Sequence, residues 1–240
     1  MAALQRAGHL AARVLQRMLA ALEPGLTTLE LDALGARLID RAGARSAPRL
    51  TYDFPGSTCI SINEEIAHGV PGSRVIGAGD VVNVDVSVEL DGYFADTGGT
   101  RVVPPSSELK DRVCLTARQA LRAALHVARA GARLNSIGAA IEGTALRNGL
   151  RVVETLGSHG IGRRLHEAPG FIAGYADASD RRVLKPGMVI TIEPFISTRS
   201  RRPRLAADGW TLRGPRGNVS AQYEHTLIIT AGRPILCTSL

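Results

Sequence analysis

Two aspartates set in a valine-rich stretch, VVNVDVSVELDGYFADTGGT at residues 81–100, pose the first chemical question. Valine alternates with Asn83, Asp85 and Ser87, and Asp91-Gly92 is a strong two-residue hairpin signal, so the chain should fold back on itself there. A turn at that point sets Asp85 opposite Gly98 and Asp96 opposite Ser87. The two carboxylates become diagonal neighbours on one face, roughly 7 Å apart at Cβ, while the valine face turns to the core. Carboxylates so placed raise each other's pKa unless a cation lies between them. For an isolated alternating strand, a solvated polar face is the simpler account. Two further segments shift the balance. MVITIEPFIS alternates Thr191 and Glu193 with Ile190 and Ile192, and SAQYEHTLIIT alternates Gln222, Glu224 and Thr226 with Tyr223, His225 and Leu227. With His159 in the Gly-rich GSHGIG, four acids on strand interiors and one imidazole form a set of hard oxygen ligands with one nitrogen, able to hold two divalent ions.

Such residues must be positioned by a folded chain. A length of 240 residues with 45% apolar content suffices for a sizeable core and excludes disorder or a fibrous repeat. Apolar runs end well short of the roughly 18 residues of a membrane span, and the amphipathic N-terminus lacks a small-residue cleavage site. The expectation is a cytoplasmic protein without a membrane partner. Cys59, Cys114 and Cys237 are dispersed and odd in number, which argues against a disulfide framework or a CxxC zinc site. The formal charge of +7 rests almost wholly on arginine, with lysine only at Lys110 and Lys185. Apart from Arg199, Arg201, Arg202 and Arg204 the basic residues are scattered and not interleaved with aromatics, as a solvated surface rather than a nucleic-acid face would have them.

Helical patterning covers the first 45 residues, with Leu4, His9, Leu10 and Val14 on one face, a break at Glu23-Pro24-Gly25 and a second helix starting at Thr27, where Thr27 and Glu30 have capping-box spacing. An extended segment is expected from Thr51 to Ile62, strands at 81–90 and 93–103, and helices at 106–130 and 134–149, the latter closed by Asn148-Gly149. Strands return at 187–197 and 219–230. Without a linker or sequence repeat, residues 1–240 read as one α+β domain of mixed antiparallel sheet and helices.

Five ordered segments, FPGSTCISINEEIAHGVP, GDVVNVDVSVELDGYFADTGGT, SHGIGRRLHEAPG, LKPGMVITIEP and DGWTL followed by SAQYEHT, resemble the type I methionine aminopeptidases of peptidase family M24, in their short bacterial form. The resemblance runs from about residue 3 to residue 236. It implies the pita-bread fold, two pseudo-symmetric halves of antiparallel sheet backed by helices, within a single metallopeptidase catalytic domain. It also implies removal of the initiator methionine from nascent chains, with a water or hydroxide bound by two metals as nucleophile. Carried over residue by residue, the metal ligands fall on Asp85, Asp96, His159, Glu193 and Glu224. Asp85 would chelate one metal, His159 and Glu193 the other, and Asp96 and Glu224 would bridge both. The ions would be two per chain, of cobalt, manganese, iron or zinc. Glu193 would move the proton of the attacking water.

His68 and His166 match catalytic and substrate-binding positions, His166 donating to the scissile carbonyl and His68 contacting the substrate's backbone nitrogen. His225 lies on the opposite strand face from Glu224, and His9 and His126 lie on helices without such a claim. Phe54, Cys59, Leu165 and Trp210 match the methionine pocket, where a thioether is held by dispersion and sulfur–aromatic contact. Three positions depart from the pattern: Ser158 stands where glycine is common, Thr51 where a pocket tyrosine is usual, and Leu165 where an aromatic is frequent. Together they point to a looser pocket. Prolidases and aminopeptidase P share the five ligands but generally carry an additional N-terminal domain, for which this length leaves no room. A monomer is expected, with the nascent N-terminal methionine as partner and a basic surface suited to weak association with the ribosome.

Overall fold

The computed structural model describes residues 1–240. Five helices, α1 (Ala2–Ala20), α2 (Thr28–Arg41), α3 (Ala47–Tyr52), α4 (Glu108–Val127) and α5 (Asn135–Arg147), pack with antiparallel strands. In α1, Leu4, Ala7, Leu10, Ala11, Val14 and Met18 recur at helical spacing and are buried, while Arg6, Arg13 and Arg17 face water. His9 is exposed too, so the apolar face is narrower than the sequence pattern suggested. The capping box at α2 forms as expected: Thr27 Oγ1 accepts from the Glu30 amide at 3.2 Å, and Glu30 Oε2 accepts from the Thr27 amide at 2.9 Å.

Two halves result. In the first, α1 and α2 lie behind a four-stranded sheet of Arg45–Ser46, Cys59–Ile62, Val81–Leu90 and Tyr93–Val102. The face of Val82, Val84, Val86 and Val88 is fully buried against Leu10, Val14 and Met18. Each such side chain contributes on the order of 1.5–3 kcal/mol relative to exposure. In the second half, α4 and α5 cover Ile190, Ile192, Ile196 and Leu227, drawn from two sheets built on Val189–Ile192 and Phe195–Ser197. The two halves meet along Thr97–Thr100 and Gln222–Thr226. There Thr97 Oγ1 donates to the Glu224 carbonyl at 2.8 Å, and the Glu224 and Gln222 amides donate to Gly98 O and Thr100 Oγ1, each at 3.0 Å. Their approach leaves no room at Gly98, where a Cβ would stand 2.1 Å from Gln222 Oε1.

The hairpin follows the expected register, from Val81 opposite Val102 to Leu90 opposite Tyr93, with Asp85 facing Gly98 and Ser87 facing Asp96. Asp91 and Gly92 both adopt positive φ, 54° and 77°, the conformation of a primed turn whose twist matches that of the strands. Other expectations need correction. The stretch from Thr51 is not extended at its start, because Thr51 and Tyr52 close helix α3. Pro48 sits in the first turn of that helix, and left-handed Asp53 ends it, so only Cys59–Ile62 pairs as strand. The expected strands at 187–197 and 219–230 each split. Pro194 has no N–H to give the ladder, and the Glu224 amide turns across to Gly98.

Replacing Gly92 by alanine should cost about 1–2 kcal/mol, because the turn demands a left-handed residue there. Chemical denaturation of the variant against the parent protein checks this, and an unchanged midpoint would count against a turn held in that conformation.

Candidate active site

The strand breaks and the hairpin bring Asp85, Asp96, His159 and Glu193 to the floor of one cavity, with buried Glu224 beside them. Asp96, His159 and Glu224 offer ligand atoms lying within 4.8 Å of one another. His159 Nε2 stands 3.4 Å from Glu193 Oε1 and 3.9 Å from Asp96 Oδ2. Asp85 completes the group from the neighbouring position on the hairpin. Three of the four acids are each held by a specific bond. Ser87 Oγ donates to Asp96 Oδ1 at 2.7 Å, Thr191 Oγ1 to Glu193 Oε1 at 2.8 Å, and Gln222 Nε2 to Glu224 Oε2 at 3.0 Å. Ser158 is buried beneath the cavity, and its Oγ accepts the Glu193 amide at 3.1 Å, a bond that a glycine side chain could not make. His159 Nδ1 lies 3.0 Å from the Gly160 carbonyl, which can only accept. Its N–H is therefore on Nδ1, and Nε2 presents a lone pair to the acids.

Charge is not balanced within the protein at this floor, since neither lysine nor arginine lines the cavity. Burial, then the charge of neighbouring acids, pushes Asp85, Glu193 and Glu224 well above the usual carboxylate range. Burial also lowers His159, which keeps it neutral and able to donate electrons. Glu224 Oε1 is buried with no hydrogen-bond partner at all. An unpaired buried oxygen beside three more carboxylates and an imidazole lone pair fits divalent cations, which take such hard oxygen and nitrogen donors.

Above the floor the cavity, about 450 Å³, has a largely apolar wall. Phe54, Cys59, Leu165 and Trp210 all line it, with Phe54 and Trp210 meeting edge to face at 5.2 Å between ring centroids. Cys59 sits across the sheet from Asp85. Burial and that acid raise its thiol well above the ordinary value, so it remains protonated and is a small apolar lining group rather than a nucleophile. His68, with positive φ of 54°, and His166 open into the same space. The His166 ring lies 4.0 Å from that of His159, and burial followed by that neighbour lowers it to about 4, so it is neutral at pH 7. His225 instead pairs with Thr238 Oγ1 at 2.9 Å and lines a separate groove that includes the C-terminus.

Two aromatic members of the wall escaped the sequence reading, Tyr52 and Phe171. Thr51 is exposed and lies outside the cavity, whereas the phenol of Tyr52, one residue later, stands in its wall. A six-residue helix is too short to announce its phase by periodicity, so the one-residue offset had no signal.

The sequence profile of metallopeptidase family M24 matches residues 2–231. Methionine aminopeptidase 2 of Bacillus subtilis is 44% identical over 238 residues, covering 99% of this chain and 96% of the relative. Methionine aminopeptidase of Escherichia coli is 38% identical over 226 residues, covering 93% and 85% respectively. The crystal structure of methionine aminopeptidase from Rickettsia prowazekii superposes with a TM-score of 0.94 at 35% identity, covering 98% of this chain and 95% of that one. Prolidase from Pyrococcus furiosus, at 24% identity and a TM-score of 0.80 over 63% of its length, shares the fold alone. The chain thus belongs to the methionine aminopeptidases of metallopeptidase family M24 and has their pita-bread fold.

Proposed function

We propose that this aminopeptidase removes the initiator methionine from nascent polypeptides, with residues 1–240 working as one catalytic domain around two divalent ions of cobalt, manganese, iron or zinc. One observation carries the reading. Asp85, Asp96, Glu193 and the lone pair of His159 converge at the foot of a cavity that no lysine or arginine lines and whose wall suits a thioether, with buried Glu224 within ligand reach of Asp96 and His159. Asp85, Asp96, His159, Glu193 and Glu224 would hold the ions. When bound, the ions would polarise the scissile carbonyl and lower the pKa of the attacking water.

The chain's own groups do the rest. Glu193 takes a proton from the attacking water as the new C–O bond forms, and delivers it to the leaving amine as the C–N bond breaks. Neutral His166 donates to the carbonyl oxygen, where negative charge develops. His68 meets the backbone nitrogen of the substrate. Phe54, Cys59, Leu165 and Trp210 receive the methionine side chain and exclude water from it. Weak association with the ribosome is supported by a surface concavity lined by Arg199, Arg201, Arg202, Arg204 and Arg213, of which Glu154 engages only Arg201 and Arg202.

Release of methionine from Met-Ala-Ser should vanish on treatment with a chelator and return with added divalent metal. Asp96→Ala should lose more than the roughly 10–100-fold typical of a residue that merely supports a ligand. Equal activity of that variant would sink the metal-site assignment.

The raised carboxyl pKas set a stability trend. The folded metal-free chain binds protons that the unfolded chain releases above the ordinary carboxylate range, so its stability falls as pH rises through the raised values. Melting temperatures of the metal-free protein should therefore decline as pH rises beyond the ordinary histidine range and through the raised carboxyl values, and the gain on adding metal should grow over the same range. A flat profile in both states would contradict the buried cluster.

Co-sedimentation with ribosomes should weaken as salt rises, with a log–log slope reduced by about one for each arginine removed from the 199–213 segment. Tripeptide hydrolysis by those variants should stay unchanged. Salt-independent binding would exclude a phosphate contact.

A further inference from the structure

Tyr52 was not anticipated from the sequence, yet its hydroxyl lies 2.5 Å from His166 Nδ1, with the rings tilted at 48° and 5.6 Å apart. Helix α3 brings it there. Ala47, at the start of α3, packs in one apolar cluster with Ile161 and Leu165, which flank the turn leading to His166. The phenol and the imidazole therefore stand on two elements locked together by packing. Left-handed Asp53 ends the helix directly after Tyr52 and sends Phe54 into the cavity wall.

A neutral imidazole has one donor nitrogen and one acceptor nitrogen, and its partners decide which is which. The Tyr52 hydroxyl has no other acceptor in the protein, and no protein group accepts from His166 Nε2. If Nδ1 carried the proton, the phenol would have no protein acceptor for its own, and Nε2 would face the cavity as a lone pair. If the phenol donates to Nδ1, both groups are used and Nε2–H is left free. Partial burial raises the Tyr52 phenol, so it keeps its proton at working pH.

We propose that Tyr52 is a positioning residue: its hydroxyl donates to His166 Nδ1 and holds the imidazole in the tautomer and rotamer that offer Nε2–H to the substrate. The assignment rests on the reading of His166 as the donor to the scissile carbonyl. It departs from the expectation that Thr51 leaves this part of the wall without a phenol. It adds a function to that phenol besides lining the wall.

Tyr52→Phe removes the hydroxyl and keeps the ring. In metal-loaded enzyme, kcat for Met-Ala-Ser should fall about 5–10-fold, the worth of one hydrogen bond, while KM and the calorimetric metal affinity stay within twofold. In a His166→Ala background the same change should cost nothing further, because its only route is through the imidazole. An independent readout comes from ¹⁵N spectra of histidine-labelled, metal-free protein. The His166 resonances should report the Nε2–H tautomer alone in the parent and a mixture of both in Tyr52→Phe. Unchanged kcat, an additive loss in the double variant, or an Nδ1–H tautomer in the parent would each overturn the proposal. Full activity of His166→Ala alone would instead remove the role given to His166, and the spectra would still decide what Tyr52 does to the ring.

Discussion

A carboxylate taken out of water needs a donor, a proton or a cation, and four of them cluster here without enough donors to go round. Ser87, Thr191 and Gln222 each satisfy one oxygen of one acid. Glu224 Oε1 has nothing. Asp85, Glu193 and Glu224 respond by holding their protons far more tightly than exposed acids do. A fold selected for stability alone would gain by replacing such a cluster with apolar side chains of similar volume. Its presence makes sense as a site whose missing charge is supplied from outside, and the surrounding architecture can be understood as what keeps the acids in place meanwhile.

That architecture works by division. Each half has its own apolar core, the valine face against α1 in one and the isoleucine-rich strands against α4 and α5 in the other. The acids sit where the two sheets meet, Asp85 and Asp96 from the first half, Glu193 and Glu224 from the second. The meeting line is fastened by hydroxyls and amides rather than by a continuous ladder. Thr226 Oγ1 both accepts from the Asp96 amide at 2.9 Å and donates to the Asp96 carbonyl at 2.8 Å. Interrupting the strands at Glu193-Pro194 and Tyr223-Glu224 costs ladder bonds. It also frees those carboxylates to leave the strand plane and face the opposing half. Gly98 is needed for the same reason, since any side chain there would displace Gln222 from between Asn83 and Glu224.

Local features of this design were legible in the sequence, and long-range ones were not. The hairpin register followed from Asp91-Gly92 and alternation, and the capping box from Thr27 and Glu30, because each is decided within a few residues. The alternation in MVITIEPFIS marked Glu193 as a strand acid, but it could not reveal that the strand stops there. Nor could spacing alone bring Glu193 and Glu224, 31 positions apart by number, against a hairpin a hundred residues earlier. That juxtaposition came from resemblance. Helix α3 had no signal of its own and its last two residues, Thr51 and Tyr52, fell in the segment expected to be extended, since six residues with a proline near the start carry no measurable period. Its consequence, a phenol shifted from position 51 to 52, is the kind of detail that only packing decides.

The wall and the floor impose opposite demands that the same few residues reconcile. The wall is largely apolar, which lowers the local dielectric and strengthens every charge interaction beneath it. That same dryness would make Cys59 or the histidines troublesome if they were charged. Each is held neutral instead: the thiol by burial beside Asp85, His159 by burial, which outweighs the opposing pull of Asp96 and the Gly160 carbonyl, and His166 by burial against His159. Neutral imidazoles can donate one hydrogen bond and accept another without adding positive charge that would compete for the acids. No lysine or arginine of this protein reaches the acids, so a cation from outside is the partner that would displace their protons.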